Sequence, residues 1–282
     1  MGQPDFSTAL EILNYSLTNG LNFFDTASDY GTSESILGSF YNENVDSNLQ
    51  PVICTKLKPV PQEIANNKQD IISHIKKSID TSMHNLKLDK IPILMSHRVN
   101  DLLLQDRSVY KTLVDLKDNG IIDNIGVSIY GPEDLFILDT CPEIRIIQIP
   151  LNIVDQRLLK ENLLKNLKQK GYYFIVRSVY LQGLIFYNSD NLPLNLAIAK
   201  EVISKIEYLK KEYALTSQEL AIGYVKSIEN LSSMIIGAES IKQVENNINI
   251  FNRINLSKDL LEEIENSFEN VPTKIVDPRL WN

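Results

Sequence analysis

A chain of 282 residues, 43% of them hydrophobic, is long enough for one large core or two small ones. Its formal charge of −8 argues against general binding to nucleic acid or to anionic membranes, both of which need basic faces. An anionic cofactor stays compatible with that charge, because backbone amides and a few local cations suffice to hold one.

Two distant cysteines, Cys54 and Cys141, make no disulfide framework, so a reducing, cytoplasmic setting is expected. The three histidines, His74, His84 and His97, show no metal-ligand spacing, and no metal is expected. The N-terminus, MGQPDFSTALEI, lacks a basic region followed by an apolar run, so no signal peptide is expected. No stretch approaches the roughly 18 apolar residues of a membrane span, and no membrane partner is expected. No feature specifies an oligomeric state.

Taken in chain order, apolar periodicity predicts helix at 7–19, strand at 21–25 and helix at 33–40. Strand 52–56, helix 68–86, strand 91–96, helix 101–119 and strand 124–128 follow. Then come helix 132–139, strand 145–149, helix 156–170 and strand 173–178. A long helical region covers 195–229, followed by strand 232–236 and helices 240–250 and 257–268. The strands are short and β-branched, and Gly, Pro or Asn often bound them. Ser33 or Thr32, and Ser257, stand where helix starts need a cap.

Seven strands, each followed by a helix, imply a parallel sheet with right-handed crossovers. Two architectures compete at this length: a doubly wound open sheet and a (β/α)8 TIM barrel. An open dinucleotide-binding sheet would usually carry GxGxxG after its first strand, and none occurs. A barrel instead brings polar residues to the carboxyl end of every strand. Asp25 with Tyr30, Lys56, His97, Ser128, Gln148, Arg177 with Ser178, and Gly237 stand at those seven ends. The barrel is therefore the expected fold, one strand short, with residues 1–282 as a single domain.

The first four of these residues carry a chemistry. A phenol such as Tyr30 stays protonated at neutral pH and can hydrogen-bond a carbonyl oxygen. It releases its proton when an ammonium stabilises the phenolate, and Lys56 is the candidate. Asp25 would keep that lysine charged and oriented, and His97 would donate to the same oxygen. Such a set polarises a carbonyl and protonates the alkoxide that forms on it, with hydride coming from a cofactor. Each residue also has a bland reading: Asp25 as a turn residue, Tyr30 on a loop rim, Lys56 as a solvated cation, His97 as a structural histidine. Their joint placement on three consecutive strand ends favours a site.

The stretch GLNFFDTASDYGTSESILG (20–38) resembles the aldo-keto reductase signature, in which a strand ending in DTA is followed by YG.SE..LG. ICTKL (53–57), ILMSHR (93–98), IDNIGVS (122–128), IIQIPLNIVDQR (146–157), RSVYLQGLI (177–185) and MIIGAESIKQVENN (234–247) resemble that family's later segments, in the same order. The resemblance implies a (β/α)8 barrel that uses NADP or NAD to reduce a small carbonyl compound. By matching position, Tyr30 would be the proton donor, Lys56 and Asp25 would tune it, and His97 would orient the carbonyl. Ser128 and Gln148 would hold the nicotinamide carboxamide. Ser178, Leu181 and Gly183 would lie along the pyrophosphate. Gly237, Ser240, Gln243 and Asn247 would surround the adenosine end, with the amides of 237–240 suited to a phosphate.

Four departures from the family pattern matter. The six residues before helix 7–19 cannot supply the hairpin and first barrel strand that the resemblance implies, so the barrel is expected to be incomplete at its N-terminus. Ile129 stands where the family commonly has asparagine. Arg177 takes the place of an aromatic ring and is expected to stack on the nicotinamide or meet an anionic group. Glu239 stands where NADPH-dependent members often carry Arg or Lys, which weakens the case for NADP, with Lys242 nearby as compensation. Three functions follow: a carbonyl reductase, a cofactor-binding regulatory protein of the same fold, and a barrel lyase using Lys56 as a Schiff base. A neighbouring Asp25 and the cofactor-like 234–247 segment speak against the last.

Overall fold

The β-branched runs pair in parallel, and the amphipathic segments between them form helices. The computed structural model describes residues 4–44 and 49–281. In chain order these hold α1 (Phe6–Thr18), β1 (Phe23–Asp25), α2 (Ser33–Asn44), β2 (Val52–Lys56), α3 (Lys68–Leu86), β3 (Ile91–Ser96), α4 (Leu104–Asp118), β4 (Ile122–Ser128), α5 (Ile137–Thr140) and β5 (Ile144–Pro150). Then follow α6 (Leu163–Gln169), β6 (Tyr173–Arg177), α7 (Lys200–Glu212), α8 (Ser217–Ser227), β7 (Ser233–Met234), α9 (Ile241–Arg253), α10 (Lys258–Phe268) and α11 (Thr273–Val276). Strand order is that of the sequence, β1 to β7. A doubly wound sheet would reverse its order at a switch point, whereas a (β/α)8 barrel does not. Seven of the barrel's strands are present among the described residues.

The chain divides into two compact units. One holds the residues up to Ile129, then Glu133–Gln148 and Ala238–Val244; the other holds Tyr130–Pro132, Ile149–Gly237 and the residues from Glu245 onward.

In the first unit, β2 and β3 are buried along nearly their whole length, as strands covered on both faces must be. The parallel register sets Asp25 opposite Cys54, Lys56 opposite Met95 and Ser128 opposite Gln148. Helix α3 begins where the Asn67 side chain accepts the amides of Gln69 and Asp70, and it buries Ile71, Ile75, Ile79, Ser82 and Leu86 at three- and four-residue spacing. Alternation along β1 sends Phe24 one way and Asp25 the other. Phe24 joins Leu17, Leu37, Phe40, Ile53, Leu86 and Leu88 in a core in which it meets Phe40 edge-on at 5.0 Å. Helix α2 approaches the end of α3 so closely that a Cβ on Gly38 would lie 2.1 Å from the Asn85 carbonyl oxygen. Backbone cannot move aside as a side chain does, so Gly38→Ala is expected to cost about 3 kcal/mol, read as a lower urea midpoint at unchanged slope.

In the second unit, β7 is only two residues long, but Ser232 and Ile235 extend its ladder by donating to the carbonyls of Phe174 and Val176 (2.9 and 2.8 Å). Leu151, just past β5, donates to the Arg177 carbonyl at the end of β6 (3.3 Å). The single helical region expected at 195–229 is two helices preceded by a 3-10 segment, Leu194–Ala199. The break follows Ala214, whose φ is +51°, and α8 restarts on a capping box between Thr216 and Glu219. The helices expected at 101–119, 132–139 and 156–170 likewise begin as 3-10 segments, at Val99–Leu103, Pro132–Phe136 and Arg157–Asn162. Ile222, Ile250 and Ile254 form an apolar cluster against Tyr180, Leu215, Met234, Ile236 and Leu256. Trp281 is tied into the tail: its indole N–H donates to the Ile275 carbonyl (3.1 Å), and Asn195 donates to its backbone oxygen (2.6 Å). Among the described residues no helix is long and apolar enough to cross a membrane, and no cluster of His, Cys, Asp and Glu could hold a metal ion.

Candidate active site

Asp25 is the last residue of β1 and Lys56 the last of β2. Lys56 lies two positions beyond Cys54, the register partner of Asp25, so both side chains emerge on the same face. The Lys56 Nζ sits 2.6 Å from Asp25 Oδ2 and donates to the Thr26 carbonyl at 2.9 Å. Lys56 is 1% exposed, so this ion pair is shielded from water and salt. An ammonium carries three donors, and the third has no partner among the described residues.

The loop after β1 continues the ladder. Thr26 N–H donates to the Cys54 carbonyl, and the N–H and hydroxyl of Ser28 both donate to the Lys56 carbonyl (2.8, 3.2 and 3.0 Å). Thr26 and Ser33 share a hydrogen bond through their hydroxyls. Tyr30 donates its N–H to the Ala27 carbonyl, and Gly31 takes φ of +58°, a value that explains why glycine follows the tyrosine. The result holds the Tyr30 ring 5.5 Å from Lys56 Nζ and edge-on to His97, with ring centroids 6.0 Å apart. His97 follows β3, where the Ser96 hydroxyl donates to the Arg98 carbonyl across the turn (2.8 Å). Tyr30 is 48% exposed, so a phenol faces solvent above a buried cation.

Two residues that sequence reasoning assigned elsewhere, or passed over, complete the set. Gln148, on β5, donates through Nε2 to Asp25 Oδ1 at 2.8 Å. Strands β1 and β5 stand four places apart, about 19 Å in a flat sheet, so this contact requires that the sheet of the first unit curl around its polar face. Glu34, 3% exposed, accepts from the Thr55 hydroxyl at 2.7 Å and braces β2 beside Lys56. Its only signal in the sequence is its place in YGTSE. Cys54 lies beneath Asp25. Burial first, and then the Asp25 charge, push its thiol well above the usual range, so it is no nucleophile.

Ser128, the last residue of β4, and Gln148, two residues before the end of β5, are register partners, and both are buried. Neither the Ser128 hydroxyl nor Gln148 Oε1 has a hydrogen-bond partner among the described residues. A donor and an acceptor side by side match the carbonyl and amino groups of a carboxamide, so these residues fit a nicotinamide. Ile129 is fully buried, so the position that commonly holds asparagine belongs here to the core. Within the same unit, Gln243 Oε1 accepts the Glu239 amide at 2.7 Å, and the Ser240 hydroxyl accepts the Gln243 amide at 3.3 Å. The Glu239 amide, one of those expected to suit a phosphate, is therefore already paired.

The remaining candidates lie in the second unit. Arg177 donates to the Ser178 hydroxyl (3.1 Å), and its guanidinium carbon lies 4.7 Å from the Tyr130 ring centroid. Its aromatic partner in this structure is thus a tyrosine. Ser178, Leu181 and Gly183 all take positive φ, and Asn152 clamps the turn by donating to the Ser178 carbonyl at 3.0 Å. Asn247 Oδ1 accepts from the Tyr180 hydroxyl at 2.7 Å. Gly237 has open space around its Cβ position, so no close backbone approach demands glycine there.

Asp25 and Lys56 end consecutive parallel strands, with Tyr30 on the loop after β1 and His97 just past β3, and the sequence comparisons identify the class as an NAD(P)-dependent oxidoreductase. The sequence model described as Aldo/keto reductase family matches residues 1–269. The chain belongs to the aldo/keto reductase family. It is 27% identical to L-galactose dehydrogenase of Arabidopsis thaliana, over 89% of this chain and 81% of that one. It is 26% identical to the chloroplastic pyridoxal reductase of Arabidopsis thaliana, over 83% and 69%. It is 25% identical to a probable voltage-gated potassium channel subunit beta of Arabidopsis thaliana, over 96% and 90%.

Proposed function

We propose that this protein reduces a small aldehyde or ketone, sugar-like in character, to an alcohol, with Tyr30 as proton donor. The observation that carries this reading is the Asp25–Lys56 ion pair, buried directly beside a solvent-facing phenol. The reduced nicotinamide, when bound, supplies the hydride. Tyr30 donates its proton to the carbonyl oxygen, and Lys56 Nζ stabilises the phenolate left behind. Asp25 fixes the ammonium in place, and His97 donates a second hydrogen bond to the same oxygen. The carbonyl carbon thereby gains hydride and its oxygen gains the proton. Ser128 and Gln148 would hold the carboxamide. Arg177, Ser178, Leu181 and Gly183 would serve the pyrophosphate, and Gly237, Ser240, Gln243 and Asn247 the adenosine end. The likeness to L-galactose dehydrogenase favours a polyhydroxy substrate. Strand order that follows the sequence throughout supports reading the chain as one barrel domain.

Glu239 places a carboxylate where a 2′-phosphate would be repelled and a free ribose hydroxyl welcomed. NADH is expected to bind at least as tightly as NADPH, and Glu239→Arg to shift the balance toward NADPH. Fluorescence titration with both cofactors, followed by turnover on an aldehyde and aldose panel, tests the reading. NADPH binding about tenfold tighter than NADH would overturn the preference. The likeness to a potassium channel subunit beta supports a second reading, a cofactor-binding regulatory protein. Cofactor binding without turnover on any of the carbonyl compounds would select it.

A further inference from the structure

Gln148 touches both halves of the proposed machinery, and its amide has a defined orientation. The Asp25 carboxylate, ion-paired to Lys56, only accepts hydrogen bonds, so the Gln148 group that meets it at 2.8 Å is the NH2. Its Oε1 then points away from Asp25 and has no partner among the described residues. Asp25 is held at both oxygens, by Lys56 at Oδ2 and by Gln148 at Oδ1.

We propose that Gln148 is a positioning residue that joins the carboxamide site to the proton-donating site: its NH2 fixes Asp25, and through it Lys56, while its Oε1 accepts the carboxamide N–H. The proposal rests on the reading of this chain as a nicotinamide-dependent reductase and adds what one residue does there. A residue acting only on the cofactor would present either end of its amide to the carboxamide. Here Asp25 removes that freedom, so the carboxamide must offer its amino group to Gln148 and its carbonyl to the Ser128 hydroxyl. Ile129, buried in the core, adds no further polar contact from the next position.

Three proteins test this: wild type, Gln148→Met, which removes donor and acceptor, and Gln148→Glu, which keeps an acceptor but sets a carboxylate against Asp25. Binding of NADH is compared with that of its reduced 3-acetylpyridine analogue, which lacks the carboxamide N–H. Wild type and Gln148→Glu are expected to prefer NADH by about tenfold, and Gln148→Met to lose the preference. At saturating NADH, kcat should fall about tenfold or more in both variants, because Asp25 loses its second anchor and orients Lys56 less firmly. The same preference in all three proteins, or an unchanged kcat in Gln148→Glu, overturns the proposal. A urea-unfolding cycle on cofactor-free protein with Gln148→Met, Asp25→Ala and the pair should be non-additive, and additivity also overturns it. That cycle needs neither cofactor nor turnover. Wild-type protein that reduces no carbonyl therefore sinks the catalytic reading, while the cycle still decides whether Gln148 holds Asp25.

Discussion

Tyr30→Phe is expected to lower kcat by about 10³-fold while changing the dissociation constant for NADH by no more than about twofold. The reasoning is geometric. The ring stands edge-on to His97 and 5.5 Å from the Lys56 ammonium, and phenylalanine keeps both ring contacts. The substitution removes only the hydroxyl, and Tyr30 is 48% exposed. Stability should therefore stay within about 0.5 kcal/mol of wild type. Stopped-flow cofactor binding and steady-state turnover on the best aldehyde of the panel measure the two sides. A variant that turns over at the wild-type rate removes Tyr30 as proton donor.

Lys56→Met should do two kinds of damage at once. Lys56 is 1% exposed, and Asp25 is its partner at 2.6 Å. Removing the ammonium leaves a carboxylate without its cation, and breaking a buried pair from one side costs about 3 kcal/mol or more. Turnover should fall by about 10²-fold or more, because nothing remains to stabilise the phenolate. The informative protein is the double variant Asp25→Asn with Lys56→Met. Replacing both charges removes the stranded carboxylate, so most of the stability should return. Activity should not, since the phenol still lacks its cation. Urea unfolding and kcat of the three variants give both readings. Recovery of activity together with stability would reduce the ion pair to a structural role.

Much of this was legible from residue order. The strands expected at 52–56 and 91–96 and the helix expected at 68–86 have those bounds, because dense β-branched runs and a capped, periodic apolar face leave little competition. The places of Asp25 and Lys56 at strand ends, of Tyr30 on the loop after β1 and of His97 just past β3 were legible as well. Less legible were the breaks. The 195–229 stretch is periodic enough to look continuous, and its interruption depends on Ala214 adopting positive φ before a capping box at Thr216. That box, T-x-x-E, was present in the sequence as a start signal and was outweighed by the apolar rhythm. The 3-10 openings at 99–103, 132–136 and 157–162 share i+3 spacing with α-helix and leave no separate mark. Least legible was the bond from Gln148 to Asp25. It spans 123 residues and exists because the sheet curls, a property of the whole strand set that neither residue announces.

The doubled hold of Ser28 on the Lys56 carbonyl has a consequence for the timing of entropy loss. Two donors from one residue weld the Tyr30 loop to the strand that carries the lysine. The phenol's position is thereby settled when the chain folds, and no ordering of this segment need be repeated in each catalytic cycle. On the proposed reading, a substrate arriving at this side of the site would meet a donor already in place. Its selection would then fall to shape and charge in whatever else borders the phenol, leaving the proposed proton chemistry the same from one carbonyl compound to the next.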